Sequence, residues 1–123
     1  MKIKTSEAKG LQLDWGLAKA LEYAPEVKYE AVFVPAEKRG WPIEGVMPFD
    51  HTDPRVCMGL IKEYCIQLYP FCDGEIVRWD TDIRPDVRIV NCDTPEQAVA
   101  RCVISMRVGD EFEVPDELAR GDL

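Results

Sequence analysis

The chain's one histidine, His51, sits in the run Phe49-Asp50-His51-Thr52-Asp53. A carboxylate beside an imidazole can raise its basicity, orient it for proton transfer or join it on a metal ion. Such chemistry needs Asp50 and Asp53 turned toward the ring. Asp53 also has a purely structural use, because it precedes Pro54 and is suited to cap a helix beginning at that proline. Cys57 follows six residues after His51. A Cys–His nucleophile pair requires a thiol in an electropositive, partly exposed setting, whereas Cys57 falls on the apolar stripe of the predicted helix and reads as core.

The marked signatures of hydrolases, kinases and dehydrogenases do not occur: there is no nucleophile elbow, Walker loop, G-x-G-x-x-G or H-E-x-x-H. The sequence thus points to no catalytic residue, no metal site and no cofactor, and what remains are residues of recognition. Trp41 stands in an irregular stretch where neither a helix nor a strand accounts for it, and large rigid aromatics are favoured interface anchors. Trp15 and Trp79 read as core. Arg39, Arg55, Arg78 and Arg84 are suited to phosphate contacts. The candidate binding set is Trp41, Asp50, His51, Asp53, Arg39 and Arg78. A C-terminal acidic set, Asp110, Glu111, Glu113, Asp116, Glu117 and Asp122, reads as a solvated edge or as an imitation of a phosphate row.

The elements that must position these residues follow from periodicity and punctuation. A short strand over residues 1–5 precedes a helix over 11–24, in which Leu17, Leu21 and Ala24 share a face and Asp14 lies in the first turn, where the dipole favours an anion. Pro25 is its predicted stop. Residues 27–34 read as one strand closed by Pro35. Residues 36–52 form a long, partly packed loop, broken by Gly40, Pro42, Gly45 and Pro48, and loops of that length are often functional. Cys57, Leu60, Ile61, Tyr64 and Leu68 then make one helical stripe that Pro70 closes. Strands are predicted over 75–79 and 87–90. Thr94, Pro95 and Gln97 open a final helix with a capping box, Gly109 ends it, and residues 110–114 alternate as an edge strand. The fold expected is a small single α+β domain spanning residues 1–123, with about three helices on a mainly antiparallel sheet of four to five short strands.

The formal net charge of −8 opposes binding to a nucleic-acid backbone, which is driven by counterion release to Lys and Arg. No run approaches the roughly 18 apolar residues that span a bilayer. The five cysteines cannot all pair within one chain and include no C-x-x-C, so they read as reduced thiols of a cytoplasm rather than a disulfide framework or zinc site.

Two segments carry a resemblance. Met1-Lys2-Ile3-Lys4-Thr5-Ser6-Glu7 followed by Leu13-Asp14-Trp15-Gly16-Leu17-Ala18-Lys19-Ala20 resembles the opening of the phage NinX-like family. The stretch from Ala100 to Leu118, with its Gly109-Asp110-Glu111-Phe112-Glu113-Val114-Pro115 ending, is similar to that family's C-terminal helix and tail. The middle matches only in fragments such as Gly40-Trp41-Pro42-Ile43-Glu44. The resemblance implies a phage or prophage origin and work in the bacterial host cytoplasm; the family is of unknown function and transfers no site residues. The expected function is a non-catalytic accessory protein that binds a host protein or a small ligand such as a nucleotide, with inhibition of a bacterial defence system as its purpose. The alternatives are a small enzyme using His51 with Asp50 or Asp53, and an acidic nucleic-acid mimic. The edge strand at 112–114 further suggests pairing into a homodimer.

Overall fold

The computed structural model describes residues 1–120. In chain order the elements are β1 (Lys2–Lys4), α1 (Leu11–Ala20), β2 (Glu26–Lys28), β3 (Ala31–Pro35), β4 (Val46–Pro48), α2 (Pro54–Tyr64), β5 (Gln67–Asp73), β6 (Ile76–Ile83), β7 (Val87–Cys92), α3 (Pro95–Arg107), β8 (Glu111–Glu113) and α4 (Asp116–Ala119). Short 3-10 turns cover Thr5–Glu7 and Ala36–Arg39. This is an α+β fold, but its strands form three antiparallel sheets rather than one: β1 with β8, β2-β3-β4, and β5-β6-β7.

Helix α3 is the centre of the packing. Thr94 caps it by accepting from the Gln97 amide at 3.1 Å, Pro95 opens it, and every residue from Gln97 to Ile104 is buried. It packs against α1, α2, β6 and β7. Such continuous burial includes Arg101, whose Nε and Nη2 donate to the Ala8 carbonyl at 3.1 and 2.8 Å and whose Nη1 donates to Cys92 Sγ at 3.4 Å. Helix α1 approaches closely because Gly16 carries no side chain: a Cβ there would lie 2.5 Å from the Phe112 ring.

Three sequence expectations are corrected. Helix α1 ends at Ala20 rather than Ala24, because Glu22 takes a left-handed conformation and the Tyr23 amide donates to the Ala18 carbonyl at 2.9 Å. The single strand expected over 27–34 is a hairpin, β2 and β3, turning through Tyr29 and Glu30, both with positive φ. Helix α2 stops at Tyr64, where Cys65 adopts a left-handed cap, so Leu68 and Pro70 belong to the strand β5. Pro70 does not end a helix; it sits in an outer strand, where a missing N–H is tolerated. The strand β8 is an edge strand as expected, in a sheet of two strands. It pairs with β1, Lys2 facing Glu113 and Lys4 facing Glu111, and the Glu113 carbonyl accepts from Trp15 Nε1 at 3.1 Å.

Among the described residues, no helix is long and apolar enough to cross a membrane.

Candidate functional site

The segment 36–52 leaves β3, makes a 3-10 turn, crosses back as β4 and reaches α2 through Asp50, His51 and Thr52. Each end is fastened differently. At the far end Asp53 caps α2, its carboxylate accepting from the Arg55 amide at 2.9 Å, so its expected structural role holds and it is not turned to the imidazole. Asp50 closes its own turn: one oxygen accepts from the Thr52 amide at 2.8 Å and the Thr52 hydroxyl at 2.7 Å. Partial burial works against the charged form of Asp50, but those hydrogen bonds and the neighbouring His51 outweigh it and hold the carboxyl below its ordinary range.

His51 turns inward and meets a carboxylate that its sequence neighbours did not announce. Asp14 Oδ1 accepts from the His51 amide at 2.8 Å and contacts Nδ1 at 2.6 Å. Both residues are buried, at 8% and 6% exposure. Asp14 does stand in the first turn of α1, yet its main work is to fasten the loop to that helix. A signal for this was present: Asp14, Leu17, Ala18 and Leu21 follow the i, i+3, i+4, i+7 spacing of an inward face, and a carboxylate on such a face needs a partner.

What this cluster can do chemically is limited by its hydrogen bonds. Potential ligand atoms of Asp14, Asp50 and His51 all lie within 4.8 Å of one another. They could converge on a cation only after the contact between Asp14 and His51 opened, because that contact has hydrogen-bond length. An oriented imidazole could act as a base through Nε2, which has no hydrogen-bond partner among the described residues. Burial, then the charge of Glu96, pushes the Cys57 thiol up from its ordinary value, which works against a reactive thiolate.

The arginines separate. Arg39 lies over Phe49, its Cζ 5.4 Å from the ring centroid, and Arg55 lines the same small cleft on α2. Arg78 pairs with Asp93, and Arg84 approaches Asp82 at 3.9 Å; both belong to the β5-β6-β7 side of the molecule. The four expected phosphate contacts therefore do not converge, and Arg78 leaves the group.

Trp41 is 52% exposed in the loop, as expected of a contact residue, whereas Trp15 and Trp79 are half-buried rather than core. The structure adds neighbours to Trp41 that sequence reasoning missed. Val32 and Val34 of β3 point into the core, so Phe33 and Pro35 lie on the outer face, opposite Pro48 and Val46 of β4. Tyr29, 90% exposed, sets its ring edge-on to Phe33 at 6.2 Å. Ile43, 62% exposed, lines an open depression of about 470 Å³ with Pro35, Pro42 and Gly45, flanked by Glu37 and Glu44. The outer side of this small sheet and the loop beside it thus present aromatic and branched side chains to solvent.

The C-terminal acidic row is partly countered. Glu111 and Glu113 face Lys4 and Lys2 across the strand pair, and Glu113 and Asp116 lie 3.1 and 3.5 Å from the Met1 amino group. Asp122 lies outside the described residues.

Compared with models of known protein families the chain matches none, and a comparison with curated proteins returns no match.

Proposed function

We propose that this chain is a non-catalytic binding protein whose contact face is the outer side of β2-β3-β4 together with the loop carrying Trp41 and Ile43. The observation that carries the reading is the grouping of Tyr29, Phe33, Ile43 and Val46 on one small sheet and its adjoining loop, most of them exposed while the inner side of β3 is fully buried. Large exposed apolar groups on a charged, soluble chain mark a place where another surface fits. Glu30, Glu37 and Glu44 are exposed around them, and with the net charge of −8 they favour a partner with a basic surface and an apolar anchor.

The resemblance of both ends to a phage family supports a partner in the bacterial host's cytoplasm, and inhibition of a host defence complex is the purpose such a protein would serve. The test is differential capture from bacterial lysate with the wild type and a Trp41→Ala, Ile43→Ser variant of unchanged thermal midpoint. A host protein held by the wild type and released by the variant supports the reading; equal capture by both overturns it.

A second reading, a small enzyme working through His51, is favoured by one observation, the Asp14 carboxylate on Nδ1 that leaves Nε2 unengaged. His51→Gln with full biological activity would remove it.

A further inference from the structure

We infer that the cleft between the turn that follows α1, the loop and α2 is a binding site for a small planar anion: a single aromatic ring bearing a carboxylate or a phosphate. The cleft is separate from the proposed protein-contact face and does not depend on it. Leu21, Tyr23 and Leu60 form its apolar wall, over a buried Phe49 that meets the Tyr23 ring edge-on at 5.7 Å. These groups supply a slot for a ring rather than for a bare ion.

The anionic preference comes from two arginines. The Arg39 guanidinium lies 5.4 Å over the Phe49 ring, and no described carboxylate comes within ion-pair distance of it. A cation–π contact with the ring holds the guanidinium in place while leaving its N–H donors free for a carboxylate or phosphate. Arg55 stands at the same cleft from the first turn of α2, with Nε 3.7 Å from Asp53. Glu63 lines the cleft as well, and its carboxylate suits a donor group on the ligand.

The volume sets the size. At about 170 Å³ the cleft lies below the roughly 300–1,000 Å³ of pockets that hold drug-sized ligands, so a whole nucleotide exceeds it while one substituted ring fits. The arginine pair therefore serves a smaller molecule than the nucleotide that four converging arginines would have held.

Gly59 gives a test that does not threaten the fold. It lines the cleft from the middle of α2, and a Cβ at this position would meet no atom within 4 Å. Gly59→Leu should fill the slot while favouring the helix. The probes are benzoate, phenyl phosphate, cyclohexanecarboxylate and orthophosphate, titrated while the amide and ring proton signals of Tyr23, Phe49 and Leu60 are followed by NMR. Benzoate or phenyl phosphate should give saturable shifts at these residues, and whichever binds more tightly identifies the anionic group. Arg39→Gln should weaken that binding at least tenfold, Arg39→Lys by less, and Gly59→Leu should abolish it with no loss of thermal midpoint. The inference is overturned if neither aromatic acid gives saturable shifts, if orthophosphate or cyclohexanecarboxylate binds as well as they do, or if binding survives in Gly59→Leu.

Discussion

A single oxygen of Asp14 holds His51 twice, accepting from its backbone amide at 2.8 Å and contacting Nδ1 at 2.6 Å. The two residues lie 37 positions apart, so this contact ties the end of the 36–52 loop to the first turn of α1. Buried hydrogen bonds to a charged group contribute more than neutral ones, and removing the acceptor leaves the donors unsatisfied. Asp14→Ala should therefore lower unfolding stability by about 2–4 kcal/mol, while Asp14→Asn, which keeps an acceptor for the amide, should cost less. Urea denaturation measures both. A loss under about 0.5 kcal/mol in Asp14→Ala would mean that the loop is held by other contacts.

The two helical glycines should respond oppositely to the same change. At Gly16 an added Cβ would lie 2.5 and 2.7 Å from the ring of Phe112, itself buried, and 3.0 Å from Ile104 Cδ1. At Gly59 it would meet nothing. Overpacking costs about 1–3 kcal/mol, against a helix-propensity gain from Gly to Ala of up to about 1 kcal/mol. Gly16→Ala should destabilise, and Gly59→Ala should stabilise by about 0.5–1 kcal/mol. Paired thermal melts decide it, and equal signs would show that the contact of α1 with β8 is looser than the distances imply.

The parts of the fold legible in the sequence were those with local chemical punctuation. Thr94-Pro95 and Asp53-Pro54 both cap helices as expected, because a short acceptor side chain before a proline serves the helix start and little else. What stayed hidden depended on residues in uncommon backbone states. Glu22, Tyr29, Glu30 and Cys65 adopt positive φ without being glycine or asparagine, so nothing marks the β2–β3 turn, and Pro25 and Pro70 stand as the visible stops beyond the true ends of α1 and α2. The candidate site divides the same way. The exposure of Trp41 is legible from its setting in a broken stretch, but the partnership of Asp14 with His51 and the shared cleft of Arg39 and Arg55 come from tertiary packing, which spacing along one segment does not reveal.

The five thiols should fall into two classes. Cys65 and Cys72 are exposed, whereas Cys57 is half-buried and Cys92 and Cys102 are fully buried. A chromogenic disulfide reagent at pH 8 should modify two thiols quickly and three only on unfolding. Burial first, offset only in part by nearby donors where they exist, pushes Cys57, Cys92 and Cys102 above the ordinary thiol value of 9.0. The unfolded chain then releases these protons at a lower pH than the folded one. Their contribution is fully present below about pH 9 and is lost as pH rises through the folded values, so the thermal midpoint should fall across that alkaline range. A Cys57→Ala, Cys92→Ala, Cys102→Ala variant, if it folds, should show a shallower fall; an identical slope would place the cause elsewhere.

The turn between β2 and β3 sets stability against contact. Tyr29 and Glu30 have φ of 50° and 60°, a pairing that asparagine and glycine adopt far more readily than a tyrosine and a glutamate. Tyr29 recovers little through burial, since it is 90% exposed, although its ring meets Phe33 edge-on at 6.2 Å. Tyr29→Asn with Glu30→Gly should therefore stabilise the hairpin, by about 0.5–1 kcal/mol after the loss of the aromatic pair. The same change strips an exposed ring and an acidic side chain from the proposed contact face. If the strained turn exists to present them, the variant should melt higher and yet capture less partner than the wild type. A variant that gains stability and keeps full capture would show that Tyr29 lies outside the contact face, and would narrow that face to Phe33, Trp41, Ile43 and Val46.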